Sequence, residues 1–183
     1  MIHVLGLSGK AGSGKDYIAS NYLKPRGWSP FSLAWHFKIW IVGKRLATYD
    51  EVFHSKPPHI RKLLQEEGTE FGRDVYGDTI WLDTAYAWMT LFHNQWGVSK
   101  FVIPDVRFPN EVEYLQSRGA AVCRVLAPER IRNSSLTTEA RLHISETALD
   151  DYERFDGYIP NDIGQEAFVE RDIDNLLTLF GWR

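Results

Sequence analysis

Cysteine is almost missing from this chain: Cys123 stands alone among 183 residues. One thiol cannot close a disulfide within the chain, which fits a reducing, cytoplasmic setting. Long apolar runs are missing too. The most apolar longer stretch, residues 31–42, is broken by His36 and Lys38 and is too short to span a bilayer. There is no basic excess: 21 Lys and Arg against 24 Asp and Glu leave a net charge of -3. That balance counts against a general binder of nucleic acid or of anionic membranes. The first residues run directly into Ile2-His3-Val4-Leu5-Gly6, without a basic segment or a small-residue cleavage site, so no secretion signal is expected. No His/Cys group has the spacing of a metal site, and no Ser/His/Asp order suggests hydrolysis. Repeats, low-complexity tracts and linkers are absent as well.

What is present suffices for a full core. Hydrophobic residues make up 44% and aromatic residues 14%, with ten Phe, eight Tyr and seven Trp. Charged residues stand at 25%, the ordinary globular level, which excludes wholesale disorder. At about 150 residues per domain, residues 1–183 form a single domain. Its apolar strand-like segments alternate with helix-like ones, the pattern of an α/β protein with a parallel sheet. Strands are predicted at 2–7, 28–33, 100–105, 120–126 and 158–159. Helices are predicted at 15–23, 35–46, 57–71, 78–92, 110–118 and 165–180. Between Ala127 and Arg141 the chain turns polar and reads as a mobile excursion from the sheet.

The first strand runs into Gly9-Lys10-Ala11-Gly12-Ser13-Gly14-Lys15, which matches the G-x-x-x-x-G-K core of the phosphate-binding loop. Glycines let successive backbone N–H groups turn inward around phosphate oxygens, and the helix N-terminus adds partial positive charge. Lys10, Ala11, Gly12, Ser13, Gly14 and Lys15 are therefore predicted to hold ATP, with Lys15 reaching the terminal phosphates. The position after Lys15, commonly Ser or Thr, is Asp16 here. Asp16 can hold magnesium directly, hold it through water, or act as a helix-start carboxylate; the water-mediated role is preferred.

Three further stretches sort the reaction: Leu64-Gln65-Glu66-Glu67-Gly68-Thr69-Glu70-Phe71-Gly72-Arg73, Ile103-Pro104-Asp105-Val106-Arg107-Phe108-Pro109-Asn110-Glu111, and His143-Ile144-Ser145-Glu146. With the Gly-Lys-Asp ending of the loop, this set closely resembles the bacteriophage-type deoxynucleoside monophosphate kinases, in the family's order and as far as about Asn161. Gly-Lys-Asp is also similar to animal-type phosphomevalonate kinase. The resemblance implies a phage-encoded enzyme that transfers the γ-phosphoryl of ATP, with Mg2+, to a deoxynucleoside monophosphate. It also implies the P-loop kinase fold, with a helical substrate-binding arm, about 34–92, and a lid, about 127–141. A kinase of another small phosphate such as phosphomevalonate, or a nucleotide-holding module without turnover, is the alternative.

Transfer between two polyanions needs cations around the moving group and little covalent help. Arg73 resembles the family's acceptor-phosphate arginine, or is an exposed helix C-terminal Arg; Arg61 lies three turns back on the same predicted helix. Asp105 and Arg107 follow the central strand at its carboxyl end, where ligands bind in open α/β sheets. Asp105 is expected to hold magnesium through water, and Arg107 to neutralise charge on the transferred phosphoryl. Lys15, Asp105 and Arg107 are thus the catalytic candidates. Lys38 resembles the segment approaching the acceptor, or is a solvated helix lysine. Gln65 is placed to hydrogen-bond a base or sugar. Trp81 is placed to stack on a base, with core packing as its default. Arg130 and Arg132 suit a lid over the phosphates of ATP. Glu146 is expected on the substrate side, anchoring a lid arginine, and Ser145 reads as the N-cap of a following turn. The surplus of tryptophan leaves room for a homodimer.

Overall fold

Side chains alternate between the two faces of a strand, so a strand covered on both sides sends neighbouring apolar residues into different cores. In the first strand, β1 (His3–Ser8), Val4 packs in one layer and Leu5 and Leu7 in the other. The computed structural model describes residues 1–66, 74–132 and 142–182. In chain order they form β1, α1 (Lys15–Ile18), β2 (Ser29–Pro30), α2 (Trp35–Gly43), α3 (Pro58–Glu66), α4 (Asp74–Tyr76), α5 (Ile80–Trp96) and β3 (Lys100–Val106). There follow α6 (Pro109–Ser117), β4 (Ala121–Leu126), α7 (Pro128–Arg132), α8 (Ile144–Thr147), β5 (Gly157–Pro160) and α9 (Glu166–Leu179).

All pairings in the sheet are parallel, and the order is β2-β3-β1-β4-β5. The expected α/β architecture, a parallel sheet flanked by helices, is therefore the observed one. One face packs Leu5, Leu7, Val102 and Val125 against Ile18, Leu23 and the Val169, Ile173 and Leu177 stripe of α9. The other packs Val4, Phe101 and Ile103 against Leu82, Ala85 and Met89 of α5 and Val112 and Leu115 of α6. A third, separate cluster of Phe37, Ile41, Val52 and Ile60 joins α2 and α3, with Trp81 packed against it.

Several elements depart from expectation. The second strand is only Ser29–Pro30, because proline has no N–H for the ladder and β2 sits at the sheet edge. The helix expected over 15–23 is one α turn followed by a π turn (Ala19–Leu23) and a 3-10 turn (Lys24–Arg26) around Pro25. Helix α2 stops at Gly43, and Arg45 beyond it has a φ of 60°. A π turn at Glu51–Ser55, unforeseen in the sequence, leads to Lys56 in the left-handed region. Helix α5 continues past Phe92 to Trp96 and stops at Gly97, whose φ is 70°. The polar excursion begins with helix α7, since Asp162 Oδ1 accepts from the Glu129 and Arg130 N–H groups at 3.1 and 3.2 Å. The rest of that excursion, 133–141, lies outside the described residues, as do 67–73. Ser145 is not the N-cap of α8: His143 is, and its ring accepts from the Ser145 N–H.

Candidate active site

Parallel strands end on one side, so the segments leaving β1, β2, β3, β4 and β5 gather along one edge of the sheet. Residues 9–15 leave β1 there. A Cβ on Gly9 would lie 2.7 Å from Ser13 Oγ and 2.8 Å from the Val125 carbonyl oxygen. Gly14 has a φ of 88°, and a Cβ there would strike the Asn161 amide. Asn161, 1% exposed at the end of β5, donates from that amide to the Ser13 carbonyl at 2.8 Å. The loop is thus held from behind by a residue that the spacing of the motif does not reveal.

Lys15 is buried, and its Nζ donates to the Gly9 and Lys10 carbonyls at 2.6 and 2.9 Å. Burial lowers its pKa to about 8, helped by the Arg107 charge and opposed by Glu146 and Asp16. Glu146 bridges the loop to the strand end beyond it: Oε2 accepts from the Ala11 N–H and Oε1 from Arg107, each at 2.6 Å. Its arginine is therefore Arg107 and, among the described residues, not one of the lid. The chain's own carboxylate on the Ala11 amide shows that this edge of the loop accepts an anion.

Lys10 turns outward and pairs with Asp150 at 2.6 Å. Asp150 also faces Arg124 at 3.4 Å, and Arg124 donates to Ser8 Oγ at 3.0 Å. This cation beside the loop is a further residue missed in the sequence, where it reads as one position of a strand.

At the end of β3, Asp105 accepts from Ser32 Oγ at 2.6 Å and from the Leu33 N–H at 3.1 Å, which ties the segment after β2 to the centre of the sheet. The buried Glu111 carboxylate accepts from the Arg107 and Phe108 N–H groups at 2.7 and 3.1 Å, so the backbone that carries Arg107 is pinned. Arg107 is thus linked to the loop through Glu146, while Asp105 holds the segment after β2.

A cavity of about 690 Å³ opens from the loop towards α2 and α3. Ala11 and Asp16 line it beside the loop, and Asp105, Arg107 and Glu146 line it as well. Lys38, Lys56, Arg61, Phe37, Phe53 and Trp81 line the far end. Trp81 meets Phe37 with ring centroids 5.2 Å apart, so it packs in the α2–α3 cluster and faces the cavity as well. Lys38 lies over the Phe53 ring, and burial is the main cause of its lowered pKa. Arg61 Nε donates to the Lys56 carbonyl at 2.9 Å. Arg130 and Arg132 are on α7 and do not line this cavity. Arg73 and the Gln65 side chain lie outside the described residues.

Asp16 and Asp105 both face the cavity, and no group of three or more His, Cys, Asp or Glu suited to a metal occurs among the described residues. That donor set fits magnesium, which is held by one or two carboxylates together with phosphate oxygens and water.

The model of the deoxynucleotide monophosphate kinase family matches residues 44–163. No curated protein gives a significant match. Among solved structures, TT1252 from Thermus thermophilus is similar at a TM-score of 0.62 with 17% identity, over 97% of each chain. A sugar kinase from a Janibacter species gives 0.53 with 16% identity over 98% of each chain. Shikimate kinase from Bacteroides thetaiotaomicron gives 0.51 with 12% identity over 98% of each chain. At these identities the likeness is one of fold, the P-loop kinase fold.

Proposed function

Because this chain belongs to the deoxynucleotide monophosphate kinase family, and so phosphorylates deoxynucleoside monophosphates, we propose how its residues share that work. The donor is ATP, which residues 10–15 would hold, and Asp16 and Asp105 would hold Mg2+ through water. When bound, the pair supplies the γ-phosphoryl and the charge that neutralises it. Lys15, at the loop, and Arg107, tied to the loop through Glu146, supply positive charge to the transferred phosphoryl. Asp105 orients the acceptor side through its grip on Ser32 and Leu33. Lys38, Arg61 and Arg73 receive the acceptor phosphate, Gln65 its sugar or base, and Trp81 with Phe37 and Phe53 the base face. Glu146 is the partner that sets Arg107 on the substrate side. Residues 34–92 act as the acceptor arm, and 127–141, with Arg130 and Arg132, as a lid that excludes water.

One observation carries this reading. The loop, Arg107 and an aromatic-walled, cation-rich chamber form one continuous cavity. An ATP-holding module needs no second chamber, and an aliphatic phosphate such as phosphomevalonate needs no wall of three aromatic rings. Among the described residues no helix is long and apolar enough to cross a membrane. The test is ADP release with ATP and magnesium, run with each deoxynucleoside and ribonucleoside monophosphate and with phosphomevalonate. Release dependent on one or more deoxynucleotides is expected. Silence with every nucleotide, despite measurable ATP binding, would overturn the assignment.

A further inference from the structure

Lys56 is a strange place for a lysine. It closes the π turn with φ 45° and ψ 59°, in the left-handed region where glycine is the low-cost residue. Pro57 follows, and a residue before proline is already pushed towards extended backbone. A non-glycine residue held in this way is a reason to look for a use of its side chain. Arg45, the other non-glycine residue at positive φ among the described residues, is exposed and does not line this chamber. Lys56 lines the chamber at its acceptor end.

Its neighbour there is Lys38. The two ammonium groups repel each other: after burial, Lys56 is the strongest influence that lowers the Lys38 pKa, outranking the attraction of Asp105 and Asp16. Neither ammonium has a hydrogen bond or an ion pair with a described residue. Asp105, whose charge favours the Lys38 ammonium, already accepts from Ser32 and Leu33. Two cations that face one partly buried chamber beside aromatic rings, neither paired with a described carboxylate, form a site that an anion completes. The Lys56 carbonyl also fixes Arg61, so one strained residue sets two of the cations.

We propose that Lys56, together with Lys38, grips the 5′-phosphate of the acceptor deoxynucleotide. The proposal rests on the acceptor being a nucleoside monophosphate, and it adds a binding residue to that site. The experiment is steady-state kinetics on the full chain with Lys56→Met, Lys56→Gly and Lys56→Arg beside the wild type. Lys56→Met keeps the backbone strain and loses the charge; Lys56→Gly loses the charge and relieves the strain. Both are expected to raise the KM for the deoxynucleotide by about tenfold or more, the size of a lost charge-assisted phosphate contact. The KM for ATP should move less than about twofold. Lys56→Arg should recover most of the loss. Inhibition by the corresponding deoxynucleoside, which lacks the phosphate, should be unchanged in all three. Normal deoxynucleotide KM in Lys56→Met and Lys56→Gly would overturn the proposal while leaving the kinase assignment standing. A wild type that does not turn over any deoxynucleotide would overturn both.

Discussion

Lys15 combines burial, a fixed position and a pKa near neutrality. Free of nucleotide, its ammonium is held at about 8 by desolvation and by Arg107. A bound polyphosphate favours the charged form and raises that value, so above pH 8 binding must first take up a proton. ATP affinity should therefore be level below pH 8 and fall by up to about tenfold per unit above it. Calorimetric titration in buffers of different ionisation enthalpy would read both the affinity and the proton. Lys15→Met should lose this dependence and turn over roughly 100-fold slower or worse. A pH-independent affinity in the wild type would remove the assigned role. Lys15, Asp105 and Arg107 were legible in the chain because each stands at a fixed offset from a strand end. Lys56 was not, because its importance comes from a left-handed backbone and from a neighbour eighteen positions away, neither of which local pattern records. Arg124 and Asn161 were hidden for a related reason: they act across strands that only the sheet order brings beside the loop.

That sheet order makes the segment after β5 a support for two others. Asn161 holds the phosphate loop through the Ser13 carbonyl, and Asp162 caps α7 through two backbone N–H groups. Asn161→Ala leaves a buried carbonyl without its donor, at a cost of about 1–3 kcal/mol. At this chain length each kcal/mol lowers Tm by about 2–4 °C. The variant should melt earlier and bind ATP more weakly, while deoxynucleotide binding changes little. Thermal melting with and without ATP would show this, and an unchanged Tm together with an unchanged ATP affinity would contradict it. The sequence makes an element legible where periodicity is strong, as in β1, β3, β4, α5 and α9. It does not where the backbone does something unusual. A π turn leaves no periodic signature, and the shortening of β2 follows from Pro30 meeting a sheet edge that is not evident before the strand order is known.

The described residues form three hydrophobic clusters, two of them on the faces of the sheet. The third, around Ile41, binds α2 to α3 and carries the acceptor end of the cavity. Elements with their own small core and few ties to the sheet open at lower free energy than the sheet itself. Ile41 is fully buried in that cluster, so Ile41→Ala should cost about 2–5 kcal/mol there. Hydrogen exchange should then quicken in α2 and α3 while β1, β3 and β4 keep their protection. With the acceptor placed against this unit as proposed, saturating deoxynucleotide should restore slow exchange in α2 and α3, by mass action on the closed form. Uniform acceleration across the sheet would mean that the arm and the sheet unfold as one body. In that case acceptor binding would stabilise the whole fold rather than draw in a semi-independent part of it.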